Sequence, residues 1–308
     1  MTRVPTTRSE QGAMRLVTLG AGAGGGLPQW NCGCVQCSAA RAGLIAPMTQ
    51  STLAVSVDGR DWVLLNASPD LRQQLAACPS LHPASLRGSP VKAVVLTNGD
   101  VDHVAGLLTL REKTGFTLYA TEATHRILSE NSVFGVLDPA LVERRTIALD
   151  QPFSPLAGLT ITPYAVPGKI PLYLEGEAPE LDMMGEQTVG LRLEGGGRTA
   201  HYIPGCAALP DWLVERLTPA DVVLFDGTIW SDDEMPSSGT GNKTGARMGH
   251  VSMSGANGSL ARLSRLQGRR IYTHVNNTNS ALMPDSPARA AITAAGWEIA
   301  TDGMEVVL

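Results

Sequence analysis

The chain is expected to fold as an α/β protein of the four-layer type, an αββα sandwich with two β-sheets stacked between two helical layers. Strand-type runs come in groups, helical segments follow them, and the second half repeats the grammar of the first. Sheets and helices with apolar faces must bury them against another layer, and this mixture closes as a sandwich. No low-complexity linker divides the 308 residues. Residues 14–308 therefore read as one domain, behind a polar and disordered extension at 1–13.

The first strand runs from Arg15 to Leu19 into a glycine-dense loop. Thr52 to Val57 and Asp61 to Asn66 form a hairpin turning at Asp58-Gly59, a dipeptide suited to a tight turn. A short helix begins near Pro69, with Asp70 in its first turn. Val91 to Leu96 is a buried-type strand ending in the polar loop Thr97 to Asp102, and His103 to Leu110 is a helix. A strand at Phe116 to Tyr119 and a helix at Thr121 to Ser129 follow. The second half has strands near Leu159 to Val166, Thr188 to Leu193 and Thr199 to Ile203, then a helix near Leu209 to Leu217. Strand Asp221 to Phe225, helix Gly255 to Leu266, strand Arg270 to Thr273, helix Asp285 to Ala295 and two closing strands complete it. Ser231 to Gly249 lacks periodicity and reads as a long mobile loop of the kind that carries function.

With a net charge of −5 and a pI of about 5.7, the chain has no broad surface to neutralise phosphates, so no nucleic-acid partner is expected. Arg262, Arg265, Arg269 and Arg270 read as the solvated face and end of a helix. No apolar run approaches the roughly 20 residues a membrane span needs, and residues 1–13 lack the apolar core of a secretory signal. No membrane association is expected. Five cysteines, with Cys32, Cys34 and Cys37 close together, fit a metal in the reducing cytoplasm better than a disulfide scaffold.

Gly20, Gly22 and Gly25 match G-x-G-x-x-G after a strand. The dinucleotide fingerprint needs a helix starting within the motif to hold the pyrophosphate. Gly26, Pro28 and Asn31-Cys-Gly-Cys follow instead, and no acidic residue stands where a ribose would need one, so that function is rejected. Cys32-x-Cys34-x-x-Cys37 puts three thiolates on a glycine-containing turn, a donor set for structural zinc. Its fourth ligand must come from elsewhere, with Asn277, His274 and His250 as candidates; Cys78 and Cys206 read as packed thiols. Thr97-Asn-Gly-Asp-Val-Asp-His103 sits where a buried strand meets a helix. N-capping by Asp102 would account for one carboxylate there, but not for Asp100, Asp102 and His103 together.

That segment resembles the H-x-H-x-D-H signature of the metallo-β-lactamase superfamily, with Asn98 and Asp100 in place of the first two histidines. Val166-Pro-Gly-Lys169 resembles the segment that supplies a further ligand histidine, here a lysine, and Ile203-Pro-Gly-Cys206 the one that supplies the bridging aspartate, here a cysteine. Ile271-Tyr-Thr-His274 keeps the last ligand histidine. What remains of the ligand set is Asp102, His103 and His274, one carboxylate and two histidines, as in non-haem Fe(II) oxygenases. The Lys169 cation would repel a second metal.

A closer similarity is to the protein B family of pyrroloquinoline quinone (PQQ) biosynthesis. It is carried by Gly24-Gly-Gly-Leu-Pro-Gln-Trp-Asn-Cys32, Thr97–His103, Asp226-Gly-Thr-Ile-Trp230, Met248-Gly-His250 with Ser254-Gly255, and Thr273-His-Val-Asn-Asn-Thr-Asn279. The resemblance implies a cytoplasmic, iron-dependent hydroxylase that acts with O₂ on the tyrosine ring of a cross-linked Glu-Tyr precursor. Fe(II) would sit at Asp102, His103 and His274, with Asp100 as a nearby ligand or base. By its position just past the long loop, His250 is expected to support a ligand or contact substrate, and Asp226, ending a strand, to orient a metal-bound histidine. A carrier of the quinone or its precursor towards the periplasm and a zinc-dependent hydrolase remain as alternatives, and a homo-oligomer stays open. His82, His125 and His201 are left as structural or surface residues.

Overall fold

The computed structural model describes residues 12–175 and 183–308, so most of the expected extension at 1–13 lies outside the described residues. The strands of the first half are β1 (Arg15–Gly20), β2 (Thr52–Ser56), β3 (Trp62–Leu65), β4 (Val91–Val95), β5 (Phe116–Ala120) and β6 (Val142–Thr146). Those that follow are β7 (Phe153–Leu156), β8 (Leu159–Ala165), β9 (Val189–Gly195), β10 (Arg198–Ile203), β11 (Val222–Asp226), β12 (Arg269–Thr273), β13 (Trp297–Ile299) and β14 (Glu305–Val307). One sheet has the order β14-β1-β2-β3-β4-β5-β6, the other β13-β12-β11-β10-β9-β8-β7.

The two sheets share one internal logic. In the first, β14, β1, β2 and β3 pair antiparallel, and β3 to β6 pair parallel. In the second, β7 to β10 pair antiparallel and β10 to β13 parallel. Both sheets are therefore mixed, and the repeated grammar of the two halves reappears as repeated topology. Strand alternation places Val63 and Leu65 of β3 in the core shared by the two sheets, while Trp62 and Leu64 face outward onto the helix Leu71–Ala77. On the far side, Leu213, Val214 and Leu217 from one helix and Ala288 and Ile292 from another cover the second sheet. This is the expected αββα sandwich, the metallo-β-lactamase fold.

Several local expectations change. The segment expected to be one helix from His103 to Leu110 is a single α-turn, Val101–Val104, followed by a 3₁₀ stretch, Ala105–Arg111. The expected loop Ser231 to Gly249 holds two short helices, Glu234–Ser237 and Gly245–Met248. The expected helix Gly255 to Leu266 shortens to Ser259–Arg262, and Arg269 and Arg270 open β12 rather than ending a helix. Among the described residues no helix is long and apolar enough to cross a membrane.

Candidate metal centre and active site

The site lies at the carboxyl ends of parallel strands, where sheet hydrogen bonding stops and loops are free to turn inward. β4 delivers the loop 97–102, β10 delivers Cys206, β11 ends on Asp226 and β12 leads into His274. Buried Asn66 anchors the first of these loops by accepting the Thr97 N–H at 2.9 Å and donating to Thr97 Oγ1 at 2.9 Å. The glycine-dense loop after β1 is a wall of the same cleft: Ala23 N–H donates to Val275 O at 2.9 Å, and a Cβ on Gly24 would lie 3.5 Å from Asp102 Oδ2.

Asp102, His103 and His274 are brought together, with ligand atoms all within 4.8 Å of one another. Asp102 Oδ2 lies 3.0 Å from His274 Nε2 and 3.8 Å from His103 Nε2. His103 donates its Nδ1–H to Asn98 Oδ1 at 2.7 Å, while its buried Nε2 has no hydrogen-bond partner among the described residues. Burial pushes the His103 pKa down to about 4, so the ring is neutral at pH 7 and carries its lone pair on Nε2. An orphaned buried acceptor beside a carboxylate and a second imidazole is the donor set a divalent metal fits. Burial opposes the charge on Asp102, but His103 and His274 outweigh it and hold the carboxyl well below the ordinary range. Burial likewise opposes a charged His274, and its hydrogen bond to Asp102 overrides this and raises it. The Asp102–His274 contact is the one a metal ion would take over.

His274 has a φ of +56°, in the left-handed region that non-glycine residues seldom enter. Thr228 is placed to secure it. Its hydroxyl lies 2.7 Å from Asp226 Oδ1 and 2.9 Å from His274 Nδ1. Donating to the carboxylate and accepting from the imidazole satisfies both, and turns His274 Nε2 to Asp102. Asp226 also binds His250 directly, Oδ2 to Nδ1 at 2.7 Å, and accepts the Cys206 N–H at 2.8 Å. Burial opposes the Asp226 charge, yet His250 beside it holds the carboxyl below its usual range. Asp226, His250 and His274 form a second close group, but both Asp226 oxygens are already engaged, which suits orientation more than chelation. Asp226 therefore reaches His274 through Thr228, and contacts His250 itself.

Asp100 lines the cleft beside this group. It holds the N-cap position of the turn Val101–Val104 with no side-chain capping bond, so neither it nor Asp102 is there to cap. Burial and the neighbouring Asp102 raise its pKa, while Lys169 and His250 pull the other way. Lys169, in the place of a ligand histidine, lies 2.7 Å from Glu175, so part of the charge expected to repel a second metal is countered.

Cys32, Cys34 and Cys37 also converge. Of the three candidates for a fourth ligand, Asn277 is the one beside them, its Nδ2 donating to the three sulfurs at 3.3, 3.6 and 3.3 Å, so that the same side chain would ligate a metal by turning its Oδ1 inward. His274 and His250 belong to the other cluster. Cys206 is buried with its thiol on Ala208 O at 3.0 Å, a packed thiol, and Cys78 is half-buried apart from the cluster. The remaining histidines have ordinary partners: His82 with Ala76 O, His125 with Arg145 O and His201 with Tyr164.

Residues 61–275 match the family model described as the beta-lactamase superfamily domain. A coenzyme PQQ synthesis protein B from Ruegeria pomeroyi is 56% identical over 295 residues, covering 96% of this chain and 100% of the relative. The chain belongs to the coenzyme PQQ synthesis protein B family. The family member from Rhizobium meliloti is also 56% identical, over 298 residues, covering 96% of this chain and 98% of that protein. A solved zinc-bound PqqB from Methylobacterium extorquens superposes with a TM-score of 0.94 at 52% identity, over 96% of this chain and all of that one. A diphosphatase of the PhnP family shares the fold, with a TM-score of 0.67 at 22% identity over 96% and 97% of the two chains.

Sequence reasoning missed Thr228 and the acceptor role of Asn98. Thr228 lies within Asp226-Gly-Thr-Ile-Trp230, yet nothing local to that segment says that its hydroxyl meets a residue 46 positions away. Asn98 could have been found as a polar side chain five residues before a candidate ligand.

Proposed function

We propose that this chain acts in PQQ assembly as an Fe(II)- and O₂-dependent hydroxylase of the tyrosine ring of a cross-linked Glu-Tyr diamino acid, in the cytoplasm. The observation that carries the reading is the neutral, buried His103 imidazole, oriented by Asn98, with its unpartnered Nε2 facing Asp102 and His274. Asp102, His103 and His274 would hold the metal, which when bound supplies activation of O₂. The rest of the chemistry belongs to the protein. Asp100, on the cleft wall, accepts the phenolic proton as the ring docks. His250, held by Asp226, faces the same cleft as a substrate-contacting acid or base. Cys32, Cys34, Cys37 and Asn277 would hold a structural zinc away from the reaction.

The test is metal content together with O₂ uptake on anaerobically iron-reconstituted protein, given ascorbate as reductant and a tyrosine-ring diamino diacid. One iron beside one zinc, with O₂ consumed and a catechol formed, supports the hydroxylase. Two zinc ions at the main site and no O₂ uptake would sink it in favour of a hydrolase, and binding without turnover would leave a carrier.

A further inference from the structure

We propose that Lys169 and Lys243 form a carboxylate-binding subsite in the wall of the metal-centre cleft, where Glu175 behind them competes with a ligand carboxylate for the same cations. Both lysines line the cleft of about 280 Å³ that also exposes Asp102, His103 and His274. Glu175 is nearly buried, at 4% exposure, and three cations converge on it. Its Oε1 lies 2.7 Å from Lys169 Nζ, and its Oε2 lies 2.8 Å from Arg247 and 4.0 Å from Lys243. Among the described residues, three cations at this wall meet one carboxylate within ion-pair distance. Gathering like charges out of water is costly unless an anion completes the set.

The arrangement is built rather than incidental. Lys169 is only 12% exposed. Its stem packs so closely on Gly249, itself at φ +83°, that a Cβ there would lie 3.0 Å from Lys169 Cγ. Lys243 is the less committed cation. It is 42% exposed, at the limit of ion-pair distance from Glu175, and meets no other carboxylate within 4.0 Å among the described residues. Asp100 and Asp102 face the cleft from the loop after β4, and Leu172 and Met248 add apolar lining. A ligand with an aromatic ring towards the metal ligands and a carboxylate towards the lysines matches both ends. This assignment rests on the reading of the substrate as an amino-acid-derived phenol.

The probe is pyrroloquinoline quinone, a tricarboxylate, with its trimethyl ester as the uncharged control. Binding is followed by tryptophan fluorescence on zinc-loaded protein under nitrogen, so no turnover enters the result. Each of Lys169→Gln and Lys243→Gln is expected to weaken binding about 10-fold or more, the scale of a lost charge-assisted hydrogen bond. Glu175→Gln, which removes the competing carboxylate, is expected to bind at least as tightly as wild type, an outcome a purely structural ion pair would not give. Melting temperature and cysteine-site zinc check the fold, and the half-exposed Lys243 supplies a variant that does not disturb the buried pair. Binding by both lysine variants within about twofold of wild type, equal binding of the ester, no binding by wild type, or displacement by equimolar inorganic phosphate would each overturn the subsite. Loss of binding in the lysine variants of a protein that never consumes O₂ would leave the subsite standing and sink the hydroxylase alone.

Discussion

His103 donates its Nδ1–H to Asn98 Oδ1 over 2.7 Å, so the asparagine that stands where the superfamily signature has a histidine orients a candidate ligand. Removing such an orienting partner typically costs about 10–100-fold in metal affinity. Asn98→Ala is therefore expected to lose metal at the main site by about that factor, measured by chelator competition, with the fold retained. Unchanged affinity would mean that the hydrogen bond does not set the ring.

The cysteine cluster and the Asp102, His103 and His274 cluster use no common side chain. His103→Ala should abolish metal binding at the triad and product formation, while the metal at the cysteines stays and the far-UV circular dichroism is unaltered. Normal turnover in this variant would remove His103 from the ligand set.

Asn277 sits at the cysteine sulfurs three residues after His274, on the loop that follows β12. Cys37→Ser should lose the cysteine-site metal. Because metal binding there is coupled to folding, it should also lower stability by about 2 kcal/mol or more, a fall in Tm of several degrees at this chain length. A full metal complement in Cys37→Ser would contradict the assignment.

His201 is buried in β10, within hydrogen-bond distance of the Tyr164 hydroxyl at 2.7 Å, and burial pushes its pKa from 6.5 down to about 3. In that window the unfolded chain binds the proton and the folded chain does not. Stability is therefore fully present above pH 6.5 and falls as the pH drops towards 3, by up to about 1.4 kcal/mol per pH unit for one proton. His103 contributes with the same sign. His201→Gln, which keeps an acceptor for Tyr164, should flatten the slope of urea midpoint against pH between pH 6.5 and 4.5. An unaltered slope would show that His201 is charged in the folded protein.

The sequence by itself determined the layered fold and most of its strands, and marked Asp102 and His103 as candidate ligands, because each leaves a local mark; His274 was legible only through the family resemblance. Buried strands such as Val91–Val95 are apolar runs, and the candidate ligands Asp102 and His103 crowd the turn after one of them. Where no local mark exists, the reading stopped. β6 and β7 are edge strands with mostly unburied side chains. In Val142–Thr146 the sequence is Val-Glu-Arg-Arg-Thr, so backbone pairing to β5 makes it a strand where hydrophobic alternation does not. The helix expected over Gly255 to Leu266 shortens at its start, where Gly255 takes a φ of +87° and a Cβ on Gly258 would lie 2.1 Å from Ser254 O, local backbone geometry that apolar spacing does not reveal. The same limit applied to the site. Only the tertiary structure brought Thr228 to His274, Asn277 to the three thiols and Lys169 with Lys243 to Glu175. Such meetings depend on where strand ends converge, and side-chain hydrogen bonds between distant loops have no period in the chain.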